Sequence, residues 1–202
     1  RERRGTPGGH DAIMCLCVDA DSEDIMVLPY HRAITSPRTA SAPLSQDIAG
    51  QFGGRELPGE ADPAEALERS RAEHPFVFVL PEGNFLVEIS ESKTATLLAS
   101  RAPALRDLHV VVLHEALIPA LWAAGAPELR FLRDATEVTQ LVKKGRAHAG
   151  VLVKALEPAQ IVDAAITRER MPQKASYFWP KALTGLVFRS LEQSPLKHSS
   201  AA

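Results

Sequence analysis

Aromatic residues are scarce, at 5% of the 202-residue chain, cysteine is nearly absent at two, and neither charge dominates, with 23 Lys and Arg against 25 Asp and Glu. The formal charge of −2 leaves no basic surplus to neutralise a polynucleotide backbone, so nucleic acid is not an expected partner. No apolar run nears the eighteen residues of a membrane span, and no apolar segment behind residues 1–5 serves as a secretory leader, which predicts no membrane association and a cytoplasmic location. Two cysteines cannot build a disulfide scaffold. Cys15 and Cys17, two apart in the apolar run 12–18, are expected on one face of a strand as small apolar residues of a reduced core.

Familiar catalytic signatures are missing as well. His114-Glu115 begins like a zinc-protease helix, but Ile118 stands where the second histidine is required, and His109 and His114 are spaced by five, not four. There is no Walker loop, no Gly-x-Gly-x-x-Gly after a strand and no Gly-x-Ser-x-Gly elbow, so the common nucleotide cradles and the serine-hydrolase turn are excluded.

What is present is a globular composition, 45% hydrophobic and 24% charged, in a chain long enough to bury a substantial core. Apolar runs at 12–18 and 25–28 predict a first hairpin. Residues 76–80 and 84–89 flank Pro81-Glu82-Gly83 and predict a second. Helices are expected over 44–52, stopped by Gly53-Gly54, over 64–73 behind Pro63, and from an Asp107 N-cap to about 117, with a further piece from Pro119 to near Gly125. After residue 127 the order is strand 129–132, a helix capped by Asp134 and ending at Lys143-Lys144-Gly145, strand 149–153, helix 158–166 and a last strand 183–189. The expected class is α+β, a mixed sheet with hairpins and packed helices, divided into a hairpin-rich part over 1–100 and a second α+β part over 101–202. Arg1-Glu2-Arg3-Arg4 reads as the end of a helix begun upstream, so the first part is expected to be the remainder of a longer domain.

The densest chemical signal is Met171-Pro172-Gln173-Lys174-Ala175-Ser176-Tyr177-Phe178-Trp179-Pro180-Lys181. Prolines near both ends predict a held, extended backbone, from which Lys174 and Lys181 project as point charges suited to phosphate or carboxylate. His31-Arg32, after Pro29, is a second pair with donors matched to phosphate oxygens. The two sets act together only if His31, Arg32, Lys174 and Lys181 converge in space.

Leu28-Pro29-Tyr30-His31-Arg32 and the 171–181 motif, followed by Thr184-Gly185-Leu186-Val187, resemble the domain-of-unknown-function family numbered one thousand and fifteen, whose members are called ParB-like or SpoOJ-like. The resemblance runs from about residue 12 to 189. Tyr30 stands where relatives commonly have Thr, and Ala175-Ser176 where they have Ser-Thr. The resemblance implies a small-molecule phosphotransferase, a kinase of free serine using pyrophosphate or ATP/ADP. His31, Arg32, Lys174 and Lys181 would meet phosphate charge, and Ser176 and Tyr177 would place substrate. It also implies an upstream Asp-Gly-His-His-Arg segment that this sequence does not contain, and magnesium is expected on chemical grounds without a nameable ligand. The alternatives are a ParB-like regulatory protein that binds nucleotide without turnover and a non-catalytic domain; no oligomeric state is implied.

Overall fold

The structure, a computed structural model, describes residues 13–19, 25–38 and 43–189. The helix end expected at residues 1–4 and most of the turn expected after Val18 lie outside them. The chain is α+β, as expected. Strands β1 (Met26–Leu28), β2 (His31–Ile34), β3 (Arg55–Glu56), β4 (His74–Leu80), β5 (Gly83–Ile89), β6 (Leu129–Leu132), β7 (Ala149–Val153) and β8 (Tyr177–Trp179) form two sheets. Six strands make one sheet in the order β3-β5-β4-β7-β2-β6, and β1 and β8 make a separate pair. Every pairing is antiparallel, so the main sheet is not mixed, and it draws strands from both sides of residue 100.

The β4–β5 hairpin forms where Pro81-Glu82 turns the chain, with Leu80 opposite Gly83. Its seven-residue β4 is buried throughout, and alternate side chains feed two cores. Phe76, Phe78 and Leu80 join Ile34, Val87 and Val151 beneath α1 (Leu44–Phe52) and the helical stretch described next. Val77 and Val79 join Ala33, Leu86 and Leu152 beneath α2 (Pro63–Arg69) and α7 (Ala135–Lys143). Helices α3 (Glu91–Leu97) and α4 (Pro103–Arg106) lead into α5 (His109–Val112), a π-helical turn at Leu113–Leu117, and α6 (Ile118–Leu121). The junctions stay in the right-handed helical region, so 109–121 is one helix with a wide turn placed just before Pro119, whose missing N–H would interrupt a regular ladder.

Caps follow their sequence signals. Asp62 accepts from the N–H groups of Ala64 and Glu65 at 2.8 and 2.9 Å, and Asp134 accepts from Thr136 at 2.7 Å. Gly53, at φ 67°, closes α1 through its bond to the Ala49 carbonyl. The last helix, α8 (Pro158–Ile166), starts at its proline.

Six expectations are corrected. Residues 13–19 form no strand, Cys15 and Cys17 are exposed, and β1 pairs with β8 in place of the predicted hairpin partner. An apolar run becomes a strand only where an edge accepts it. Asp107 ends α4 and does not cap α5, whose preceding residue is Leu108. Residues 183–189 are irregular, and the C-terminal strand is Tyr177–Trp179 inside the proline-flanked motif. His31 and Arg32, which read in the sequence as a solvated strand end, are the start of β2, an interior strand between β7 and β6.

Gly150 marks where α7 lies closest on the sheet: a Cβ there would sit 2.4 Å from a Val138 methyl and 3.3 Å from the Val79 Cβ. Neither neighbour is a flexible side-chain end. Gly150→Ala is expected to lose about 1–3 kcal/mol in chemical denaturation through overpacking. Gly50→Ala, which meets nothing within 4 Å on α1, is expected to gain about 0.5–1 kcal/mol.

Candidate anion-binding face

The two motifs singled out by sequence are hydrogen-bonded to each other, with Met26, Val27 and Leu28 opposite Trp179, Phe178 and Tyr177. Pro29 and Tyr30 then carry the chain from β1 into β2, so Tyr30 sits at the junction of the two sheets. Its ring meets Tyr177 edge-on at 5.5 Å and Phe131 edge-on at 6.5 Å. Tyr177 in turn stacks beside Trp179 at 6.4 Å, as residues two apart on a strand share a face.

Cations converge on these rings. The Lys174 ammonium lies 5.4 Å from the centre of Tyr30, and the Lys181 ammonium 4.4 Å from that of Tyr177. The Arg133 guanidinium lies 4.8 Å from the Tyr177 ring and donates to its hydroxyl at 3.2 Å. None of the three forms an ion pair with a carboxylate among the described residues. Rings attract each cation weakly and neutralise none, which leaves a local positive field.

Beneath this face lies Arg32, 0% exposed and also without a described carboxylate partner. Strand alternation sends it to the side of Ile34, toward the π-helical turn. Its Nε donates to His114 Nε2 at 3.1 Å, Nη1 to the Tyr30 carbonyl and Nη2 to the Lys174 carbonyl at 3.4 Å, with Phe131 packed 5.4 Å from the guanidinium carbon. Burial lowers its pKa to about 10, which still leaves it charged at neutral pH. Arg32 therefore ties the β1–β2 junction to the 171–176 loop from below. Lys174 itself takes φ 57°, a left-handed conformation uncommon for a residue with a Cβ, while Arg32 holds its carbonyl. His114 accepts from Arg32, so its other nitrogen carries the proton. Burial, then the Arg32 charge, lowers its pKa to about 4.

Of the residues predicted from sequence, Arg32, Lys174, Tyr177 and Lys181 are brought together. Ser176 is half-buried between Ala175, which enters the core, and Tyr177. His31 is apart from them: it faces the other side of the sheet with Ala33, and its Nδ1 accepts from the Val153 N–H at 3.3 Å. Its pKa is lowered to about 4 by burial and the Arg32 charge, against Asp134 at the start of α7. Sequence reasoning missed Arg133, Phe131 and the His114 contact, because each enters through pairing or packing and carries no local motif.

A second network holds the approach to the motif. Arg101 pairs with both carboxylate oxygens of Glu115 at 2.7 Å and with Glu169 at 3.1 Å, joining the π-helical turn to the segment just before Met171. No group of three or more His, Cys, Asp or Glu among the described residues is arranged to hold a metal ion. No helix among the described residues is long and apolar enough to cross a membrane.

No family model matches the chain, and no curated protein does. Among solved structures, free serine kinase in complex with AMP is similar to it at 14% identity, with 80% of this chain and 56% of that one covered and a TM-score of 0.47. A variant of free serine kinase in complex with ADP gives the same identity, coverage and TM-score. A conserved hypothetical protein from Pyrococcus furiosus is 13% identical, with 80% and 59% covered and a TM-score of 0.45. The chain thus spans between half and two thirds of the length of these structures.

Proposed function

We propose that the face around Tyr30 and Tyr177 binds the phosphate groups of a small molecule, and that this chain is part of a phosphotransferase of the ParB-like family numbered one thousand and fifteen. The activity proposed is that of a kinase of free serine with pyrophosphate or ATP/ADP as donor. The observation that carries this is the convergence of Lys174, Lys181 and Arg133 on two tyrosine rings without a described carboxylate partner. Phosphoryl transfer asks a protein mainly for positioning and for positive charge placed before the reaction begins. Lysines serve here as point charges, and Arg133 as a donor held against the Tyr177 hydroxyl. Ser176 and Tyr177 place the acceptor, and Arg32 acts through Lys174 and Tyr30 as a positioning residue. His31, on the opposite side of the sheet, acts only by supporting β2 and β7.

A second reading is a nucleotide-binding regulatory protein without turnover, favoured because no carboxylate among the described residues is paired with Lys174, Lys181 or Arg133. The two separate on product: serine phosphate formed from pyrophosphate or ATP requires the first.

Lys174→Gly tests the site directly. Glycine enters the left-handed region freely, so the variant is expected to keep or raise its melting temperature while its affinity for pyrophosphate, read by titration calorimetry, falls about ten- to a hundredfold, the worth of a charge-assisted hydrogen bond. Lys181→Ala is expected to lose a comparable factor. Unchanged pyrophosphate binding in both variants would remove the site assignment.

A further inference from the structure

Beside β8 a groove of about 560 Å³ opens between the 13–19 segment, α8 and the strand, next to the face that carries Tyr177. Its walls include Leu16, Val18, Ile161, Val162, Phe178 and Trp179, and among the described residues the sole ionisable one that lines it is Lys181. Val162 and Trp179 are each 43% exposed, an amount of bare apolar surface that water covers at a cost. The volume is that of a small-molecule cleft and is too small for a partner helix. Among the described residues its chemistry is one-sided: apolar walls, no lining carboxylate, and an ammonium that no described carboxylate neutralises.

We infer that this groove binds an anionic amphiphile of the medium-chain carboxylate class, with its hydrocarbon body against Val162 and Trp179 and its carboxylate at Lys181. A cationic head would meet Lys181 with like charge, and a neutral one would forgo the ion pair. The groove shares Lys181 with the phosphate-binding face proposed above and needs nothing from Lys174 or Arg133, so loss of Lys174 separates the two.

Trp179 reports occupancy, because the second tryptophan, Trp122, is buried elsewhere under the sheet. Titrating decanoate into the full chain is expected to shift Trp179 emission to the blue and to saturate. Decyltrimethylammonium should bind at least tenfold more weakly. Lys181→Ala should bring decanoate down to the affinity of decanol, and Leu16→Glu, at a residue 72% exposed, should weaken decanoate and decanol while leaving the melting temperature unchanged. Lys174→Gly should leave decanoate binding intact whatever it does to pyrophosphate. The inference is overturned if decanoate gives no saturable shift or binds no better than the cationic amphiphile. It is equally overturned if the wild type is a dimer that Leu16→Glu dissociates and that decanoate leaves intact, since a second copy then fills the groove.

Discussion

Arg32→Met is expected to cost about 2–4 kcal/mol of stability and to abolish anion binding at a face the side chain never reaches. The guanidinium serves three part-buried acceptors at once: His114 Nε2 and the carbonyls of Tyr30 and Lys174. Methionine keeps much of the volume and supplies no donor, and each acceptor left without one costs about 1–3 kcal/mol. Part of that loss is offset because a desolvated cation without a described carboxylate partner is removed. Arg32→Lys is not expected to rescue the protein, since one ammonium on a flexible stem cannot reproduce a planar fork that reaches in three directions. Chemical denaturation gives the stability, and pyrophosphate titration gives the function. A methionine variant as stable as the wild type, with affinity within twofold, would show that the 171–176 loop holds itself and that Arg32 positions nothing.

That role was half legible in the chain. Elements announced by their own punctuation appeared where the sequence put them: α1 ahead of Gly53-Gly54, the β4–β5 hairpin around Pro81-Glu82, α7 behind Asp134, and α8 at Pro158. These signals are local, so a short window carries them. β2 was lost because His31-Arg32 looks like a solvated strand end, and only pairing with both β7 and β6 makes it interior. Once those residues are a strand, alternation alone separates His31 from Arg32 and sends only the second toward Lys174. The opposite error occurred at 12–18 and 183–189, where apolar content suggested strands and no sheet edge accepts them. The site itself required the β1–β8 pairing, which links residues about 150 apart in the chain and leaves no local trace in either. Arg133 and Phe131 joined it through β6, a neighbour of β2 that no motif indicates.

Acid is expected to unfold this protein well before its carboxylates are all protonated. His31, His109 and His114 each have their pKa lowered to about 4, and that of His74 is lowered too, with burial the leading cause in all four. Arg32 adds to the effect at His31 and His114, and His74 and Lys154 add to it at His109, against a bond from His109 to the Ala155 carbonyl. Glu73, Asp107 and Glu91 work in the other direction at His74. A histidine whose folded pKa lies below its unfolded value of 6.5 binds fewer protons when folded, so protonation favours the unfolded chain. Above pH 6.5 both states are neutral at these sites and nothing is lost. Between pH 6.5 and about 4 the unfolded chain gains protons that the folded one refuses, and stability falls throughout that window; below it, these groups remove nothing further. His74 and His109 make the sharpest case, with rings 6.1 Å apart and both Nδ1 atoms buried without a partner. Two charges at that separation would repel each other in a poorly solvated site. Melting curves from pH 7.5 to 4.5 should show a steep, cooperative fall beginning near 6.5, and His109→Phe should flatten it, though with some loss of stability at neutral pH from the Ala155 contact. A melting temperature constant down to pH 5 would mean that these imidazoles take up protons in the folded state, and that the interior around β4 and α5 admits water.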